Sequence, residues 1–128
     1  MALNCLLTET MLQFAECKEE TGGQAYSNFL TVAFPEVFEN QKKARRFYRG
    51  IRCGILHGAQ TNKKARLSYD EDYVVSLTED EILYVSVPGY YNILRNYFED
   101  YVEKLRERAD SALAENFVKK MTLICQKT

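Results

Sequence analysis

The sequence predicts a mainly α-helical bundle of four to five helices with one small antiparallel β-hairpin inserted, in a single domain spanning residues 1–128. Three observations carry this. Apolar residues recur at three- and four-residue spacing over most of the chain. The period changes to β-rich runs only between about 64 and 87. No linker, internal repeat or low-complexity tract divides the sequence. A chain of 128 residues that is 46% apolar can build one core without disulfide or metal staples.

Leu3, Leu6, Leu7, Met11, Phe14 and Ala15 fall at helical spacing and predict an amphipathic helix from about Ala2 to Lys18. Thr21-Gly22-Gly23 breaks it. A short helix over Gln24 to Ala33 follows, with Tyr26, Phe29, Leu30 and Ala33 on one side. Pro35 suits a first helical turn, where its missing N–H costs nothing, so the next helix is expected from Pro35 to about Leu56. Projected at about 100° per residue, Ala44, Phe47, Tyr48, Ile51 and Ile55 form its apolar stripe. Lys42, Arg45, Arg46, Arg49, Arg52 and Cys53 lie opposite.

Gly50, Gly54 and Gly58 make a third strip on this helix, four residues apart. Each glycine costs a helix roughly 1 kcal/mol relative to alanine, so the strip needs a reason. It can admit another backbone, from a neighbouring helix or a second copy of the chain. Alternatively, Gly58 ends the helix and Gly54 loosens its last turn.

From Lys64 the runs Lys64–Tyr69, Tyr73–Leu77 and Ile82–Val87 are β-rich and separated by acidic turns, and Pro88-Gly89 closes the insertion. Tyr90, Tyr91, Leu94, Tyr97, Phe98, Tyr101, Val102 and Leu105 then mark a helix of about five turns. Its tyrosines are expected in the core rather than stacked on bases. Asp110 or Ser111 can cap a last helix carrying Leu113, Phe117, Met121 and Ile124.

Charge is where the sequence speaks about function. The net charge of −1 hides a block from Gln41 to Arg66 that holds Lys42, Lys43, Arg45, Arg46, Arg49, Arg52, Lys63, Lys64 and Arg66 and no carboxylate. Such a segment steers anions locally even on a near-neutral protein. The four cysteines Cys5, Cys17, Cys53 and Cys125 have apolar neighbours and no metal-ligand spacing, so buried thiols are expected, with no metal and no cofactor. The acidic runs Asp70-Glu71-Asp72 and Glu79-Asp80-Glu81 read as solvated turns rather than calcium loops. There is no signal-peptide pattern and no membrane-length apolar run, which points to the cytoplasm.

The only histidine, His57, lies five residues after Arg52 inside the basic block. An imidazole exchanges protons near neutral pH, and a guanidinium binds phosphate in two-pronged geometry. Together in a positive field they suggest a phosphodiester site, with Arg45, Arg49, Lys63 and Lys64 as further phosphate contacts. A histidine at the end of a helix in a merely structural role, and a solvated lysine loop, are the plainer alternatives.

The segment Phe47-Tyr48-Arg49-Gly50-Ile51-Arg52-Cys53-Gly54-Ile55-Leu56-His57-Gly58-Ala59-Gln60-Thr61 resembles the signature of the HEPN superfamily, an Arg-x4-6-His motif at the end of a long helix. The likeness to a small bacterial branch extends to Leu6-Leu7-Thr8-Glu9-Thr10 and to the hairpin followed by a long helix. The resemblance implies a helical bundle and, in many members, metal-independent RNA cleavage by a homodimer in toxin–antitoxin or phage-defence settings, where an antitoxin is the protein partner. In that scheme Arg52 and His57 are catalytic, and the strip Gly50, Gly54, Gly58 is the dimer contact. One histidine cannot easily serve as both base and acid in a single step, whereas two copies across a two-fold axis can. Active members commonly carry Asn, Asp or His directly after the arginine. Here that residue is Cys53, a weak donor, which supports an alternative: a non-catalytic module that binds RNA or a protein through the same basic face.

Overall fold

The computed structural model describes residues 1–18, 22–107 and 110–126. It is mainly α-helical with a small β insertion. The helices are α1 (Ala2–Glu16), α2 (Gly23–Ala33), a rod made of α3 (Gln41–Phe47), a π-helical segment (Tyr48–Cys53) and α4 (Gly54–Gly58), then α5 (Val87–Glu107) and α6 (Ser111–Gln126). Thr21, expected to break the first helix, lies outside the described residues. The break begins earlier, where Cys17 takes a left-handed conformation (φ 54°) and Lys18 N–H donates to Gln13 O at 3.0 Å. Side chains of α6 complete that end: Asn116 Nδ2 donates to Ala15 O (2.8 Å) and the buried Lys120 Nζ to Lys18 O (2.7 Å).

The rod starts later than Pro35 suggested. Residues 35–40 form a turn in which Phe38 N–H donates to Phe34 O at 2.8 Å, and Phe38 drops into the core edge-on to Phe47. Asn40 is the N-cap, its Oδ1 accepting from Lys43 N–H at 3.0 Å. Pro88 and Gly89 do not close the insertion but open α5, with Ser86 Oγ accepting from Gly89 N–H at 3.0 Å.

Between the rod and α5 lie β1 (Ala65–Ser68), β2 (Val75–Leu77) and β3 (Leu83–Ser86), in the order β1-β3-β2. β2 and β3 make the antiparallel hairpin, Val75 opposite Val85. The sheet as a whole is mixed, because β1 pairs with β3 in parallel, Ala65 opposite Leu83. The hairpin turn keeps Glu81 at φ 65°. Val85, Leu83 and Ala65 turn inward to join Phe34, Phe47, Ile51, Tyr90 and Leu94 in the main core. A second cluster of Met11, Leu12, Phe29 and Tyr101 joins α1, α2 and α5.

α1 does not bury the face its leucines mark. Leu3 is 79% exposed, and the buried line is Cys5, Thr8, Met11 and Leu12. The physical reason is polar. Thr8 Oγ1 and Tyr90 OH share a 2.6 Å hydrogen bond in the interior, and Tyr26 OH donates to Cys5 O at 3.5 Å. Those bonds rotate α1 so that Glu9, the next residue, reaches the rod.

Candidate functional site

The basic block folds onto the rod and the loop after it, and its middle is π-helical. A π-helical turn bonds i to i+5 and is frequent at functional sites. It also shifts the side-chain angles from those of a regular helix. Ala44, Phe47 and Ile51 are buried as the apolar stripe requires, but the cations are not on one face. Arg52 goes to one side, and Arg46, Arg49, Lys63 and Lys64 to another.

Arg52 turns toward α1. Its Nη2 donates to both carboxylate oxygens of Glu9, at 3.1 and 2.9 Å, with both side chains mostly buried. The guanidinium lies 5.3 Å from the centroid of the Tyr48 ring, and Nη1 is 3.9 Å from Cys53 Sγ. Its buried Nε has no partner among the described residues. Burial opposes its charge, but the hydrogen bonds to Glu9 and Cys53 and the nearby carboxylate outweigh it, so its pKa is raised above the ordinary arginine value. Tyr48 is raised by its own burial and by Cys53, with Arg52 opposing. The sequence block holds no carboxylate to neutralise Arg52; the tertiary structure supplies one from 43 residues away.

The second group surrounds a cleft of about 460 Å³ lined by Arg46, Arg49, Gly50, Asn62, Lys63 and Lys64. Arg46 is shared with the hairpin: it contacts the Glu81 carboxylate and donates to Glu81 O at 3.1 Å, while Lys42 Nζ reaches the same carboxylate at 2.6 Å. Lys42 first, and then Arg46 and Lys64, hold the exposed Glu81 carboxyl below its ordinary pKa. Arg49, Lys63 and Lys64 make no ion pair with any described carboxylate. Thus the structure brings together Arg49, Lys63 and Lys64 of the expected phosphate contacts. Arg45 does not line the cleft and points to solvent.

His57 stands exposed in the last turn of the rod, outside the cleft, and its imidazole makes no hydrogen bond or ion pair with any described residue. One residue past the rod, Ala59 adopts φ 55°, ψ 21°, its N–H donating to Gly54 O and Ile55 O. Glycine would take that left-handed position more readily.

The glycine strip has an intramolecular occupant at two of its three positions. A Cβ on Gly50 would lie 2.7 Å from Ala65 Cβ, and one on Gly54 would lie 2.6 Å from Gln60 O. The close approach is made by the chain's own 60–65 segment, not by a second copy at those two residues. Only Gly58 is open, its nearest neighbour Gln60 Cγ at 3.9 Å.

Sequence reasoning missed Glu9 and Arg46 as members of these groups. Arg46 was on the positive face but unremarkable there. Glu9 gave one signal: a carboxylate immediately after Thr8, one residue off the line of α1 that the structure buries. Among the described residues no group of three or more His, Cys, Asp or Glu is placed to hold a metal ion, and no helix is long and apolar enough to cross a membrane. Compared with protein-family models, curated proteins and solved structures, the chain matches none.

Proposed function

We propose that this chain is an HEPN-like, metal-independent endoribonuclease that works as a cytoplasmic homodimer, in a toxin–antitoxin or phage-defence setting with an antitoxin as its protein partner. The observation that carries the reading is that one rod holds an immobilised guanidinium, Arg52, and ends in an exposed imidazole, His57. Glu9 is held through Nη2, and Nη1, which also donates to Cys53 Sγ, keeps one N–H for a phosphate oxygen. In the dimer, one His57 removes the ribose 2′-hydroxyl proton while the other protonates the leaving 5′-oxygen. The two Arg52 side chains stabilise the crowded phosphate. Cleavage of single-stranded RNA in EDTA is expected to persist in the native protein and to fall at least about 100-fold in both Arg52→Ala and His57→Ala. Unchanged cleavage by His57→Ala ends the catalytic reading.

A second reading has its own observation. The residue after Arg52 is a thiol, and Arg52 already carries a carboxylate. Both features suit a non-catalytic module that binds RNA, or an acidic protein, through Arg49, Lys63 and Lys64. Salt-sensitive RNA binding with no cleaved product distinguishes it.

A further inference from the structure

The glycines of the rod do more than relieve crowding; they decide where two lysines stand. Because Gly50 and Gly54 lack side chains, the 60–65 segment lies directly on the rod. It is pinned there by backbone bonds: Asn62 N–H to Gly50 O at 3.2 Å, Ala65 N–H to Asn62 O at 3.1 Å and Leu83 N–H to Lys64 O at 2.8 Å. Asn62 Oδ1 accepts from Lys64 N–H at 3.2 Å and shapes the turn. Lys63 and Lys64 therefore leave a clamped turn, not a free loop, and meet Arg46 and Arg49 across one concavity of about 460 Å³.

The charge balance of that concavity is specific. Arg46 is ion-paired with Glu81 and Lys64 lies within the field of the same carboxylate, whereas Arg49 and Lys63 have no carboxylate partner among the described residues. Arg49 and Lys63, together with a Lys64 only partly offset by Glu81, put more positive charge around one small volume than a single internal phosphodiester, with one negative charge, neutralises. A phosphate monoester carries about −1.5 to −2 at pH 7 and offers three acceptor oxygens. Arg49 can meet two of these with its fork, and the lysines supply point charges. The size is that of a site for a nucleotide-sized group. Neither Arg52 nor His57 lines it.

We propose that the cleft between Arg46, Arg49, Lys63 and Lys64 is an anchor for a terminal phosphate monoester, taken from the end of an RNA strand and set apart from the Arg52–His57 motif. The choice of RNA rests on the function proposed above; the phosphate chemistry does not. A mononucleotide offers the same group, so the test uses both sources. Fluorescence anisotropy at fixed salt compares one RNA decamer bearing a 5′-phosphate, a 3′-phosphate or hydroxyls at both ends, with AMP and adenosine as competitors.

A phosphorylated end is expected to tighten binding about tenfold. That gain should vanish in Arg49→Ala and in the double variant Lys63→Ala/Lys64→Ala, and survive in His57→Ala. Phosphorylated RNA binding more tightly than AMP identifies the strand end as the ligand; equal affinities identify the mononucleotide, and both place the phosphate in the cleft. Equal binding of phosphorylated and hydroxyl-ended RNA overturns the anchor and leaves the RNA reading standing. Arg49-dependent binding of AMP, read by calorimetry on the unlabelled protein, with no binding of any RNA does the reverse.

Discussion

Arg49 and Arg52 are three residues apart on one rod and have opposite surroundings. Arg52 is mostly buried, bonded to Glu9 and stacked near Tyr48. Arg49 is exposed, borders a cleft with two lysines and has no described carboxylate as a partner. The first arrangement immobilises one guanidinium and removes most of its long-range field. The second leaves positive charge uncompensated, where it attracts an anion from solution. One stretch of sequence thus supplies both a positioned group and an attracting surface, and the π-helical turn between Tyr48 and Cys53 is what sends them to different neighbours.

The sharpest way to break this comparison is to remove a carboxylate on one side and a cation on the other. Glu9→Ala leaves the Arg52 charge mostly buried without its partner and is expected to destabilise the fold by about 3 kcal/mol in urea unfolding. Arg49→Ala should move stability by less than about 0.5 kcal/mol. Equal small effects would show that the Glu9–Arg52 pair is no more structural than a surface ion pair.

A second test addresses the layer beneath Arg52. Burial pushes the Cys5 thiol up to about 11 from its ordinary 9.0, with the amino terminus and Arg52 opposing, and burial likewise raises Tyr26 and Tyr90. These groups are neutral when protonated and have raised pKa values in the folded state. The contribution of Cys5 is therefore fully present below pH 9 and is lost as pH rises from 9 toward 11, whereas that of the tyrosines is present below pH 10 and is lost only as pH rises above it. For Cys5 alone the loss is on the order of 2 kcal/mol. Urea unfolding at pH 8 and pH 10.5 measures the slope, and Cys5→Ala should reduce it. A slope unchanged by the substitution would assign the alkaline loss to the tyrosines.

The smallest effect lies at the end of the rod. Ala59→Gly relieves a left-handed alanine at the cost of a more flexible unfolded chain and is expected to stabilise by about 0.5–1 kcal/mol. A thermal melt reads this directly. A lower melting temperature would show that the strain beside His57 is offset by packing of the Ala59 methyl.

Much of the fold was legible because its signals are local. α2 follows Tyr26, Phe29 and Leu30, α5 follows Tyr90, Leu94 and Tyr101, and the β-rich runs marked the sheet. Errors arose where a local signal met a tertiary demand. Pro35 resembled a helix start, yet burying Phe38 requires a turn there, and Asn40 caps the rod instead. Leu3, Leu6 and Leu7 mark one side of α1, yet the Thr8–Tyr90 hydrogen bond determines which side faces inward. At the candidate site the expected cations were visible, but their grouping was not, because a regular helical projection does not describe a π-helical turn.

A helical bundle with one β insertion, a carboxylate-free positive segment and a single histidine within it can all be read from the order of residues. Periodicity, composition and spacing are properties of neighbours along the chain. Three features needed the folded chain: Glu9 pairs with Arg52, the 60–65 segment packs on Gly50 and Gly54, and Lys63 and Lys64 line one cleft with Arg49. The physical reason is that charge pairing and close approach depend on distance in space. The pair at 2.9 Å joins residues that the chain separates by more than forty positions.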